Sequence, residues 1–136
     1  MDLTTSLQIA AGGMRAQGTR LRVVAENLAN AQSTAQTADG VPYRRQVVTF
    51  RNVFDDAIGA NMVEVARIGA DPGEFQRRYE PAHPSADANG YVLYPNVNTL
   101  VEMMDIREAQ RSYEANLSVL ETSRTLLTST IDLLRS

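Results

Sequence analysis

His83 is the one histidine in the chain and lies in "YEPAHPSADANG", between Pro81 and Pro84, with Asp71 and Asp87 as conceivable partners. An imidazole serves as metal ligand or general base only with further ligands or an orienting group. No second ligand stands at a recognisable spacing, so a turn or loop-packing role outweighs a catalytic one. "SADANG" has the rhythm of a calcium loop, but Ser85 stands where its first acid belongs and Asn96 where its bidentate glutamate belongs. "GADPGEF" lacks both the lysine and the following helix of a phosphate-cradling loop. Asp55-Asp56 reads as a solvated loop or helix start rather than an acid/base pair. The chain has no cysteine, which excludes disulfides, thiolate metal sites and cysteine nucleophiles. These residues build no catalytic, metal or cofactor site, and the chain is not read as an enzyme.

The elements that would have to position any site are set by a chain of 136 residues, one domain's worth. A net charge of −3 provides no basic field, which argues against nucleic acid or an anionic membrane surface as a main partner. All 13 basic residues are arginine, a bias that interface use or genome composition could equally produce. No apolar run approaches transmembrane length, so direct membrane insertion is not expected. The start, "MDLTTSLQIAAGG", lacks the basic and apolar regions of a secretory signal. The chain is expected to be cytosolic or to leave the cell without a cleaved signal.

Apolar residues step by three and four along both ends of the chain. Leu3, Leu7, Ala10, Met14, Leu21, Val24 and Leu28 form one seam, with Gln17 in its polar slot and Gly12-Gly13 as its weak point. Asp2 or Thr4 can cap its start. Met103, Ile106, Tyr113, Leu117, Leu120, Leu127, Ile131 and Leu134 form the other, and core packing is the expected role of Tyr113. Thr99 and Glu102 stand in capping-box spacing just after Pro95. Each helix carries a second apolar row, Ile9, Ala16 and Val23 on the first and Val119, Leu126 and Leu133 on the last. One antiparallel partner covers a seam but not both rows. Either the middle of the chain covers the second rows or neighbouring molecules do.

Between the helices, 31–42 is small and polar, with Asp39-Gly40 as a turn signal. Strands are expected at 43–51, 62–68, 74–80 and in "YVLYP" after the Asn89-Gly90 turn. The fold class is α+β: two long terminal helices forming an antiparallel coiled-coil-like hairpin, with a small mostly-β insertion between them. The corresponding divisions are 1–34, 35–98 and 99–136.

The stretch "ENLANAQST" at the end of the first helix resembles the signature of flagellar rod and hook proteins, the axial proteins of the bacterial flagellum. "DGVPYRRQVVTF", "YEPAHPSADANGYVLYPNVN" and "RSYEANLSVLETSRTLL" are similar to the proximal-rod members of that family, as are the chain length and the lack of a large inserted outer domain. The linker at 31–38 and the strand near 62–68 match least. The resemblance implies a structural subunit, exported without a cleaved signal by the flagellar type III apparatus. It would polymerise helically in the periplasm as part of the drive shaft around the export channel. Its implied partners are other copies of itself, neighbouring proximal and distal rod proteins, and the rod-base adaptor to the membrane ring and export gate. The terminal helices would pack against those of neighbours and be largely disordered before assembly.

In that setting Asn27, Leu28 and Asn30 are candidate contacts between subunits, because the end of a helix buried among subunits needs donors and acceptors for its last carbonyls. Asn30 also tolerates the left-handed conformation that ends a helix, and the competing reading is an ordinary asparagine cap. Ile9, Val23, Tyr113, Val119, Leu126 and Leu133 are further candidates. So are Tyr79, Tyr91 and Tyr94, with Arg44, Arg45, Arg77 and Arg78 beside them, as residue types that anchor interfaces. An exposed sheet packed on its own helices explains these last equally well. Two rival classes are a helical-hairpin adaptor or chaperone-like binding module, and an enzyme using His83 and Asp87.

Overall fold

The computed structural model describes residues 2–136. Two helices, α1 (Leu3–Ala29) and α2 (Thr99–Arg135), flank four strands, β1 (Gln46–Asp55), β2 (Ala60–Ala70), β3 (Gln76–Tyr79) and β4 (Tyr91–Tyr94). The strands form two separate two-stranded sheets, β1-β2 and β3-β4. The chain divides into two compact units. One comprises Met1–Leu21, Val48–Arg67 and Arg107–Ser136, the other Arg22–Val47 and Ile68–Ile106.

In the first unit α1 and α2 run antiparallel, since Gly13 faces Asn116 while Arg20 pairs with Glu108 at 3.5 Å. The two glycines that weaken α1 by propensity are where other elements approach it most closely. A Cβ on Gly13 would lie 2.8 Å from the Asn116 amide, and one on Gly12 would lie 2.6 Å from the Met62 methyl of β2. Each glycine thus exchanges about 1 kcal/mol of helix propensity for a close packing contact. Asp2 caps α1 by accepting from the Thr5 N–H at 2.7 Å, a bond that holds its carboxyl below the usual carboxylate range.

The β1-β2 hairpin turns through Gly59 at φ +68°, whose N–H donates to the Asp55 carbonyl at 2.8 Å. Asp55 also accepts from the Ala57 N–H, which makes Asp55-Asp56 a hairpin turn and not a helix start. Arg51 and Glu64 form a cross-strand pair. β1 begins three residues later than the β-branched run suggests. The N–H groups of Tyr43 and Arg45 donate to the Ser33 carbonyl and the Asn96 side chain instead of to a ladder.

In the second unit β3 and β4 pair antiparallel from Gln76↔Tyr94 to Tyr79↔Tyr91. Asp87 accepts from the Asn89 and Tyr91 N–H groups and so builds the turn into β4. Gly90 there has φ +84°, and a Cβ on it would strike the Tyr79 ring at 2.8 Å. The N-cap of α2 is Asn98, not Thr99: its side-chain oxygen accepts from the Leu100 and Val101 N–H groups. Glu102 is drawn away from a capping box by a nearby arginine.

The glycines give opposite expectations. Gly13→Leu overpacks the contact with Asn116 and is expected to cost about 1–3 kcal/mol. At Gly18 an added Cβ would meet nothing within 4 Å, so Gly18→Ala is expected to gain about 0.5–1 kcal/mol. Urea unfolding midpoints check both.

Candidate assembly interface

Asn27 lies fully buried at the end of α1, and its side chain is used inside its own chain. Its oxygen accepts from the Tyr43 hydroxyl at 2.7 Å and from the Gln46 N–H at 2.9 Å, while its amide donates to the Gln46 carbonyl at 2.9 Å. The side chain thereby supplies what a neighbouring strand would supply to the first residue of β1. Burial, with Glu26 and Glu102 nearby, raises the Tyr43 hydroxyl above the ordinary tyrosine value, so that it stays a donor. The role this geometry shows for Asn27 is to join the end of α1 to the start of β1. Asn30 ends the helix with its amide donating to the Glu26 carbonyl at 2.9 Å and its oxygen accepting from Ser33. It does so without the expected left-handed conformation, as no non-glycine among the described residues has positive φ. Leu28 is half-buried.

A second polar node centres on Arg45. Its guanidinium bonds to Glu102 in the first turn of α2, pairs with Asp71 at 3.1 Å and reaches Asp105 at 3.9 Å. Its backbone N–H donates to the Asn96 side chain at 2.8 Å, and its carbonyl accepts from the Asp71 N–H at 2.8 Å. Burial works against the charge on Arg45, but Glu102 and Asp71 outweigh it and hold the pKa above its ordinary value. Asp71 is held below the carboxylate range by the Gly73 N–H first and by Arg45 second. Arg45 is thus half-buried and held by carboxylates of its own chain. Sequence reasoning missed this node because no spacing links residues 45, 71 and 102. The one available signal was an acid in the first turn of α2, and it also suited a cap.

The apolar rows divide. On α1 Ala16 and Val23 are buried and Ile9 half-buried, so that row is covered within the chain. On α2 Val119, Leu126 and Leu133 are 49, 51 and 76% exposed. The line of α2 that is most buried is Glu102, Ala109 and Ser123, with Asn116 in register, a heptad of small and polar residues. Tyr113, Ile106, Leu117, Leu120 and Leu127 flank it half-buried, as a core role requires. Met103, Ile131 and Leu134, expected in the seam, are exposed. Large apolar residues carry the visible period, whereas close approach to α1 at Gly13 selects small ones for the contact line.

On β3-β4, Tyr79 and Tyr91 are exposed and meet edge-on with ring centroids 5.4 Å apart. Arg77 lies over Tyr91 at 4.7 Å and Arg78 over Tyr94 at 4.2 Å. Tyr94 is buried, and its hydroxyl donates to Glu80 at 2.7 Å, a bond that raises its pKa. Arg44 stacks on Phe75 at 4.1 Å. The ring nitrogen Nδ1 of His83 accepts the Ser85 N–H at 3.1 Å and lies 2.8 Å from the Ser85 hydroxyl, so the imidazole locks a turn. Among the described residues no group of three or more metal-ligating side chains occurs, and no helix is long and apolar enough to cross a membrane.

Two helices packed antiparallel, an open apolar row on one of them and a small aromatic-arginine sheet define an assembly subunit. Residues 88–133 match the family model described as flagellar basal body rod FlgEFG protein C-terminal. Over 98% of its length the chain is 50% identical to the flagellar basal-body rod protein FlgC of Agrobacterium fabrum, covering 96% of that protein. It is 40% identical to that of Salmonella typhimurium, with 98% of each chain covered. It is 35% identical to that of Bacillus subtilis, covering 94% of this chain and 95% of that one. The chain belongs to the FlgC family of flagellar basal-body rod proteins.

Two outcomes are expected at the polar nodes. Asn27→Ala leaves Gln46 and Tyr43 groups unpaired at about 1–3 kcal/mol each, and lowers the unfolding midpoint of the monomer itself. Arg45→Met strands the Glu102 carboxylate and is expected to cost about 3–5 kcal/mol; adding Glu102→Met restores most of it. A double-mutant cycle by denaturant unfolding reads both effects.

Proposed function

We propose that this chain is a structural subunit of the proximal rod, polymerising helically around the export channel and carrying torque from the membrane ring outward. Family membership makes it a structural rod protein. The finer reading is supported by the open Val119, Leu126 and Leu133 row on α2. A monomer rarely leaves so regular an apolar stripe in water unless other molecules cover it. Torque resistance without covalent links requires contacts in several directions. The helices supply an axial surface, and Tyr79 and Tyr91 with Arg77 supply an outer one.

The remaining roles follow from this reading. The partners are further copies and adjoining rod proteins, including the rod-base adaptor toward the membrane ring and export gate. Export runs through the flagellar type III apparatus, with the assembled subunit in the periplasm. Catalysis has no part in the role.

Deleting the gene is expected to abolish rods and swimming, and the wild-type chain to restore both. Leu126→Asp with Val119→Asp is expected to abolish restoration while lowering monomer stability by only about 1–3 kcal/mol, for the half-covered side chains and the poorer helix propensity of aspartate. Basal-body isolation and urea unfolding of the purified chain separate the two effects. Full restoration by the double variant would exclude that row from assembly.

A further inference from the structure

Among the described residues, the register of the helical hairpin carries the end of α2 past the start of α1. Gly13 against Asn116 and Arg20 against Glu108 place Leu3, where α1 begins, opposite about Leu126. Roughly nine residues of α2 then run on, about 13 Å at 1.5 Å per residue. Ile131 and Leu134 on this overhang are 47 and 82% exposed and stand three apart, on one face. Asp132 and Arg135, also three apart and exposed, add one charge of each sign.

A groove of similar length opens between α1 and the β1-β2 hairpin. Two adjoining cavities, each about 310 Å³, share Arg15, Asp55 and Met62. From Gln8 to Thr19 they follow α1 for about 16 Å. Ala11, Ile58 and Met62 supply apolar wall, and Arg15 and Asp55 are charges of opposite sign on it. The groove therefore matches the overhang in length, offers it a short apolar wall and carries a charge of each sign.

We propose that the α2 overhang of one copy seats in the α1–hairpin groove of a second copy. Ile131 and Leu134 face the apolar wall, Asp132 faces Arg15, and Arg135 faces Asp55. The proposal rests on the rod-subunit reading and specifies one of its contacts. A copy cannot fill its own groove. Ala11 stands opposite about Ser118, and Leu134 lies some 24 Å farther along α2. The contact is heterologous, so each bound copy still offers one overhang and one groove. That produces an open, directional polymer and not a closed pair.

The absence of cysteine from the chain makes the test direct. A chain carrying both Ala11→Cys and Leu134→Cys is supplied as the sole copy in otherwise wild-type cells, which are then oxidised. A disulfide needs Cα atoms within about 4.4–6.8 Å, so this pair can join only different copies. The expected result is a ladder of dimers, trimers and higher species that neither single variant forms. In parallel, Arg15→Glu and Asp132→Arg are each expected to lower the amount of this chain in isolated basal bodies about tenfold, with the combined variant restored. Swimming cells without a ladder would overturn the docking and leave the rod reading standing. If the double-cysteine cells do not swim, the charge reversals decide. Single reversals that incorporate normally, or a combined variant no better than the singles, overturn the docking as well. Absence of the wild-type chain from basal bodies would instead overturn the rod reading.

Discussion

Arg45 is the residue on which its unit depends, because three segments distant in sequence end on it. The turn after β2, the segment before α2 and the first turn of α2 all bond to its side chain or backbone, just ahead of β1. Glu102 is fully buried, and one of its carboxylate oxygens has no hydrogen-bond partner. An ion so placed survives only because the guanidinium is fixed beside it. Such a pair adds little net stability over a well-packed apolar pair, but it punishes any arrangement that separates its members. Asn27 works similarly at the end of α1, using a side-chain amide to satisfy the first backbone groups of β1. Directional bonds, more than apolar area, set the geometry of this small unit.

The helices follow a different rule. Where α1 and α2 approach, the contact is made by Gly13 and Asn116, flanked by half-buried leucines, rather than by a stripe of leucines alone. Small residues let the helices come close, and the larger apolar side chains are displaced to the flanks. On α1 the β1-β2 hairpin shelters part of what is displaced, with Met62 against Gly12. On α2 the displaced residues remain in water, and they form the surface on which the rod reading rests. An apolar stripe left over by tight packing is thus available for assembly.

The elements themselves were legible in the sequence. Periods of three and four marked both helices to within about two residues of their observed ends, and β-branched runs with glycine turns marked the four strands. Asn89-Gly90 carried its turn for a visible reason: Gly90 takes a positive φ beneath the Tyr79 ring. Strand pairing was less accessible, and so was the start of β1, where side chains of Asn27 and Asn96 replace a neighbouring strand.

Local composition by itself determined that the chain is two long amphipathic helices around a small β insertion, because periodicity and turn chemistry act over a few residues. The family, too, was visible in short contiguous stretches. Which face of α2 turns inward was decided only by the tertiary structure, since Glu102, Ala109, Asn116 and Ser123 are inconspicuous until a glycine on α1 admits close approach. The intrachain use of Asn27 was likewise settled there. A buried polar group must find its partners wherever the fold brings them, and residues 27, 43 and 46 meet only when the chain has turned back on itself.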